Sequence, residues 1–158
     1  MIVKYPNPIL SNPTEEFDFI NPPGSSEELA TAMLSVMNDH KGIGLSANQL
    51  GIPYRVFAMR GSPENFVCFN PTIVHYSPEQ EVNDEECLSF PGVRIKIRRS
   101  LQVRLRFQTP SGASTTQTFS GLTARVIQHE MDHLDGIPFI NRANRYHRDK
   151  AMKGYAYA

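Results

Sequence analysis

The chain has 158 residues and a mass of 17.8 kDa, which predicts a single domain (1–158) with room for a substantial core. Its 40% hydrophobic and 20% charged residues exclude a disordered or collagen-like chain, and no run approaches the roughly 20 apolar residues that span a bilayer. Sixteen basic and 16 acidic side chains balance overall, yet residues 1–87 carry 4 Lys or Arg against 12 Asp or Glu, and residues 88–158 carry 12 against 4. Such a split marks either a polyanion-binding half or the strands that face solvent.

The opening MIVKYPNPIL has neither the apolar core of a secretory signal nor the Arg- and Ser-rich character of a transit peptide. The protein is therefore expected to stay in the compartment where it is made, with Cys68 and Cys87 as reduced thiols. From Pro6 to Gly24 the prolines and the lack of any period predict an extended arm on the surface. A helix follows: Ser25 and Glu28 make a capping box, Leu29, Met33, Val36, Met37 and His40 recur at helical spacing, and Gly42 offers a stop. From Tyr54 to Phe119 the runs YRVFAM, FVCF, TIVHY and SLQVRLRF read as strands. Leu101, Val103, Leu105 and Phe107 alternate with Gln102, Arg104 and Arg106, the pattern of a half-buried antiparallel strand with a basic outer face. After Gly121 the period returns to helix through Leu122, Val126, Ile127, His129, Glu130, His133 and Leu134, with a stop at Gly136. The last stretch, 141–158, carries Arg142, Arg145, Arg148, Lys150 and Lys153 against Asp149 and predicts at most a short basic helix. The expected class is α+β, with antiparallel or mixed sheets packed around the second helix and one helix near the N-terminus.

The second helix contains His129-Glu130-Met131-Asp132-His133. Histidines at i and i+4 project from one face about a turn apart, so both reach a single metal, and Glu130 stands beside it as a candidate general base. A catalytic site of this kind needs a third protein ligand, for which Glu, His and Cys are the candidates. His147 lies in the basic tail. Cys68, inside FVCF, reads as a small core residue, whereas Cys87 stands in EECLSFPG among acids and just before a Pro-Gly turn. A third cluster, GIGLSANQ from Gly42 to Gln49, lies between the first helix and the first strand, and its glycines permit positive φ and close backbone approach, as a loop beside a substrate requires, or form a helix cap and turn.

Taken together, GIGLSANQ, EECLS and QHEMDHLDG resemble the peptide deformylase family, whose motifs GxGLAAxQ, EGCLS and QHExDHLxG occur in the same order. The resemblance spans roughly residues 1 to 140. It implies that Cys87, His129 and His133 hold one divalent metal, Fe(II) natively with Zn(II), Ni(II) or Co(II) as replacements, and that Glu130 is the base. It further implies that the Gln49 side chain and the Leu88 backbone N–H receive the oxyanion, and that Ile43, Gly44, Leu88, Arg94, Val126 and His129 contact the substrate. Asp132 is expected either to orient a ligand imidazole or to make a buried salt bridge. The implied activity is removal of the formyl group from N-terminal formyl-methionine of newly made polypeptides. Two positions depart from the pattern: Ser46 replaces Ala, and Glu86 replaces Gly, which would cost about 1 kcal/mol or more if that position needs φ > 0.

Two competing readings share the helix motif. A zincin-type metallopeptidase would take its third ligand from beyond His133, where Asp135 and Asp149 are the acids, and a non-catalytic protein would close a structural site with Cys68, Cys87, His129 and His133. The short tail and the lack of a transit peptide fit a bacterial or bacteriophage-encoded enzyme of the cytoplasm, and a monomer is expected. No membrane association is expected, and the basic tail is a candidate for weak, salt-dependent ribosome contact.

Overall fold

Period-two text fills the middle of the chain, and the computed structural model, which describes residues 1–155, turns it into seven strands in two sheets. The strands are β1 (Gly44–Ser46), β2 (Val56–Met59), β3 (Phe66–Tyr76), β4 (Gln80–Cys87), β5 (Phe90–Ser100), β6 (Gln102–Gln108) and β7 (Ser114–Ser120). Five form one antiparallel sheet in the order β1-β2-β3-β6-β7, and β4 and β5 pair separately as a hairpin. Three α-helices complete the described residues: α1 (Ser26–Asp39), α2 (Gly121–Leu134) and α3 (Arg145–Met152). The class is α+β, as the patterning predicts.

Strand β2 shows how the layers arise. Its four residues are all buried, but period two sends Val56 and Ala58 to one face and Phe57 and Met59 to the other. The first pair packs with Met33 and Met37 of α1, the second with Ala124, Ile127 and Leu134 of α2. The sheet is thus sandwiched between the two helices, and each fully buried large apolar side chain contributes about 1.5–3 kcal/mol to that packing. A third cluster places Phe90, Val93, Ile95 and Ile97 of β5 against Phe139 and Ile140, with Ala151 and Met152 of α3 at its edge.

Several boundaries differ from the sequence expectation for identifiable reasons. Helix α1 keeps its Ser25 cap, whose hydroxyl accepts from Glu28 N at 3.1 Å, but Lys41, at φ 56, makes the left-handed turn expected of Gly42. Lys41 N bonds Asn38 O and Gly42 N bonds Met37 O, closing the helix end. Helix α2 does use its glycine: Gly136 has φ 74. FVCF and TIVHY are one strand, bent between Phe69 and Thr72. On β6, Val103, Leu105 and Phe107 face inward while Gln102, Arg104 and Arg106 face solvent; Leu101 lies outside the strand, exposed in the turn before it. No helix among the described residues is long and apolar enough to cross a membrane. The tail forms α3, and residues 156–158 lie outside the described residues.

The N-terminal arm is extended except for a 3-10 turn at Pro8–Ser11, and it is fastened by polar bonds as well as by buried Leu10 and Phe17. Thr14 donates to Leu134 O through both its N–H and its hydroxyl, each at 2.8 Å. Asn70, at φ 49 in the β3 bend, accepts from Phe17 N at 2.7 Å and donates to Phe17 O at 2.8 Å and to Gln108 Oε1 at 2.7 Å. Its amide thereby pairs with the arm as a strand would. Asn70→Ala removes these bonds and leaves a residue poorly suited to that φ, so urea unfolding should show a loss of about 2 kcal/mol. A loss below about 0.5 kcal/mol would contradict this role for the side chain.

Candidate metal centre

Helix α2 buries every residue from Ala124 to Leu134, so its polar side chains must find partners inside the protein. His129 and His133 stand one turn apart with ring centroids 4.9 Å from each other, and Cys87 reaches them from the last position of β4. The three residues each offer one ligand atom, all within 4.8 Å of one another, close enough for one ion at roughly 2.0–2.3 Å from each. Cys87 Sγ lies 3.2 Å from His133 Nε2. The donor set of one sulfur and two imidazoles suits a Zn(II)- or Fe(II)-type ion. Burial above all holds the His133 pKa well below its usual range, which favours the neutral ring that a metal ligand needs.

Beside the trio, Glu130 Oε1 is buried with no hydrogen-bond partner among the described residues. Burial pushes its carboxyl up to about 7, with the charge of His129 opposing. Gly44 explains how this carboxylate fits: a Cβ at Gly44 would run into Glu130 Oε2 and Val126 Cγ1. Gly42 is close to its neighbours in the same way, since a Cβ there would lie 3.2 Å from Leu88 Cδ1. Both glycines serve close approach; neither has positive φ.

The remaining motif residues surround a cleft of about 600 Å³. Ile43, Gly44, Gln49, Cys87, Leu88, Arg94, Val126, His129 and Glu130 line it, so the structure brings together every site residue named from sequence, with His133 behind the lining. Ile43 is half exposed, and Arg94 sits at the surface, paired with Asp84 at 3.2 Å. The Gln49 amide is held at both ends: Oε1 accepts from Ser46 N at 3.0 Å, and Nε2 donates to Ser89 Oγ at 3.0 Å and points at Cys87 Sγ 3.7 Å away. Ser46 Oγ also bonds Gln49 Oε1 at 3.1 Å, so the Ala-to-Ser departure adds a donor. Leu88 N–H has no acceptor among the described residues. The arm reaches both donors: Val3 N bonds Gln49 O at 2.7 Å, Ser89 Oγ bonds Val3 O at 2.6 Å, and Lys4 Nζ bonds Leu88 O at 3.1 Å. Glu86 is exposed, opposite Arg94, and lies outside the left-handed region, so the expected strain is absent.

Sequence reasoning missed the residue that orients the ligand. Glu85 Oε1 meets His129 Nδ1 at 2.9 Å, leaving Nε2 for an ion. Glu85 also accepts from Arg99 Nε at 2.9 Å, Arg99 Nη2 at 3.0 Å and Arg125 Nη1 at 2.6 Å. Asp132 takes the other alternative left to it, a buried salt bridge with Arg99 at 2.5 Å and Arg142 at 2.9 Å. Arg99 is therefore buried, not one of the solvated strand cations. The doubled acid before Cys87 is the signal that could have pointed to Glu85, since the alternation of β4 buries one of the pair and exposes the other.

Both competing metal sites fail geometrically. Cys68 packs with Phe57, Val103 and Leu105 and is not among the clustered donors. Asp135 pairs with Arg55 at 2.8 Å, and Asp149 faces Arg145.

Burial alone would raise the Glu85 pKa, but the hydrogen bonds of His129 and Arg99 and the charge of Arg99 outweigh it and hold the carboxyl at about 2. A folded-state pKa below the unfolded value stabilises the protein above about pH 4.5, by about 3 kcal/mol, and that stability is lost as pH falls toward 2. Urea unfolding of wild type and Glu85→Gln should therefore converge between pH 5 and pH 2; a constant difference would contradict the assignment.

The family model for polypeptide deformylase matches residues 1–149. The peptide deformylase of Desulforudis audaxviator is 37% identical over 150 residues, covering 94% of this chain and 96% of that one, and the Aquifex aeolicus enzyme is 36% identical, covering 98% and 93%. Among solved structures, peptide deformylase 1B of Arabidopsis thaliana in complex with an inhibitor superposes with a TM-score of 0.90 at 34% identity, over 96% of this chain and 86% of that one. A Synechococcus elongatus peptide deformylase in complex with actinonin gives a TM-score of 0.90 at 30% identity, over 99% and 89%. With fold, motif order and donor cluster in agreement, this chain belongs to the polypeptide deformylase family of metal-dependent hydrolases.

Proposed function

We propose that this chain hydrolyses the formyl amide of N-terminal formyl-methionine with Glu130 as its general base and Cys87, His129 and His133 as its metal ligands. The observation that carries this reading is the Glu130 carboxylate, buried and unbonded beside three convergent donor atoms at the cleft. A bound divalent ion supplies Lewis acidity there, activating water and polarising the formyl oxygen. Glu130 takes the proton of the attacking water and later delivers it to the amine as the C–N bond breaks, releasing formate. The Gln49 amide and the Leu88 N–H donate to the developing oxyanion; support comes from the bonds that hold Gln49 in place before any substrate arrives. Ile43, Gly44, Leu88, Val126 and His129 receive the methionine end of the substrate, with Arg94 at the rim.

Fe(II) as the native ion, action as a monomer and a cytoplasmic location rest on the family resemblance. Ribosome contact through the tail draws on fewer cations than composition suggests. Arg142 is engaged with Asp132 and Arg145 lies 3.7 Å from Asp149, which leaves exposed Lys150 and Lys153, with Arg148 half-buried.

Incubation with a formyl-methionyl peptide should release formate, chelation should abolish it, and an unblocked peptide should remain intact. Glu130→Gln should retain metal and lose about 10²–10⁴-fold in turnover; near-normal formate release would refute the base assignment. Cys87→Ala should lose its metal on dialysis, and stoichiometric retention would exclude Cys87 as a ligand.

A further inference from the structure

Arg125, which no motif singles out, is a buried cation in the lining of the cleft, one turn before His129 on α2. Its Nη1 donates to Glu85 Oε2 at 2.6 Å and to Ile97 O at 2.9 Å, and its Nη2 donates to Glu81 O at 2.6 Å. Glu81 lies on β4 and Ile97 on β5, so one guanidinium reaches from the helix to both strands of the hairpin. That hairpin is separate from the five-stranded sheet. A two-stranded hairpin has little stability of its own, so its placement depends on what docks it. The division matters because Glu85 and Cys87 sit on the hairpin and His129 and His133 on the helix.

We propose that Arg125 is a positioning residue that fixes the Cys87-bearing hairpin against the histidine-bearing helix, and thereby sets both the spacing of the metal ligands and the width of the methionine end of the cleft. The inference rests on the ligand reading given above. A guanidinium suits the task because its planar fork serves three acceptors at once, whereas a lysine ammonium can keep the charge near Glu85 without holding Glu81 O and Ile97 O in the same plane. Arg99 ties the hairpin to Asp132 from the other direction but does not line the cleft, so Arg125 alone of the two links docking to substrate fit.

The test uses the metal-loaded wild type with Arg125→Lys and Arg125→Met, the lysine variant serving if the methionine variant fails to fold. Transfer of metal to an excess of chelator should become about tenfold faster in the variants. The preference in kcat/KM for a formyl-methionyl over a formyl-alanyl peptide should fall about tenfold, through a higher KM for the methionyl substrate. A purely structural role would lower Tm and leave both quantities alone, so either one unchanged in folded Arg125→Lys overturns the proposal. If wild type releases no formate, the functional reading fails on its own, while the chelator measurement still decides whether Arg125 holds the ligands.

Discussion

Six of the eleven consecutive buried residues of α2 are polar or charged: Arg125, Gln128, His129, Glu130, Asp132 and His133. Withdrawing so many polar groups from water is tolerable only if each finds a partner, and most of the architecture around the helix supplies those partners. Strand β5 provides Arg99 for Asp132 and the Ser100 backbone for the Gln128 amide, which accepts from Ser100 N at 3.1 Å and donates to Ser100 O at 2.9 Å. Strand β4 provides Glu85, and the segment after α2 returns Arg142 to Asp132. Glu130 is left outside this pairing, and its isolation is what raises its proton affinity.

The same constraint accounts for part of the opposed charge of the two halves of the chain. The acids before Cys87 and the bases after it meet across the β4–β5 hairpin, where Asp84 faces Arg94 at 3.2 Å and Lys96 at 3.3 Å on the outside, and Glu85 meets Arg99 on the inside. Four of the 12 acids before Cys87 and four of the 12 bases after it lie on this hairpin, so part of the split is cross-strand complementarity rather than a footprint for a polyanion.

What could be read from the sequence was local. His129, Glu130 and His133 share a helix whose period fixes their spacing, and the caps at Ser25 and Gly136 depend on residues a few positions apart. Glu85, Arg99 and Arg125 carry no local signal because their association depends on strand pairing and on helix packing across 14 to 40 positions, which no short pattern encodes. Strand β4 (QEVNDEEC) carries no run of β-branched or aromatic residues, which fits a strand with seven of its eight residues not buried and leaves it without a signal in the sequence. Gly42 follows the end of α1 as its position predicts, but the left-handed turn falls on Lys41, and the closeness of Leu88 to Gly42 is not legible in the local sequence.

The arm carries a consequence for how the protein is made. Val3 and Lys4 touch the segments at Gln49 and Leu88, and Thr14 closes on Leu134, a separation of 120 residues. Gln49, Asn70 and Leu88 can hold parts of the arm earlier, but the Thr14 clasp forms only once Leu134, 120 residues further on, has been made. Contacts this distant in sequence slow folding, and a nascent chain shorter than about 140 residues lacks the helix end on which its arm closes. An enzyme whose substrates are growing polypeptides therefore cannot assemble its own centre while most of it is still being translated.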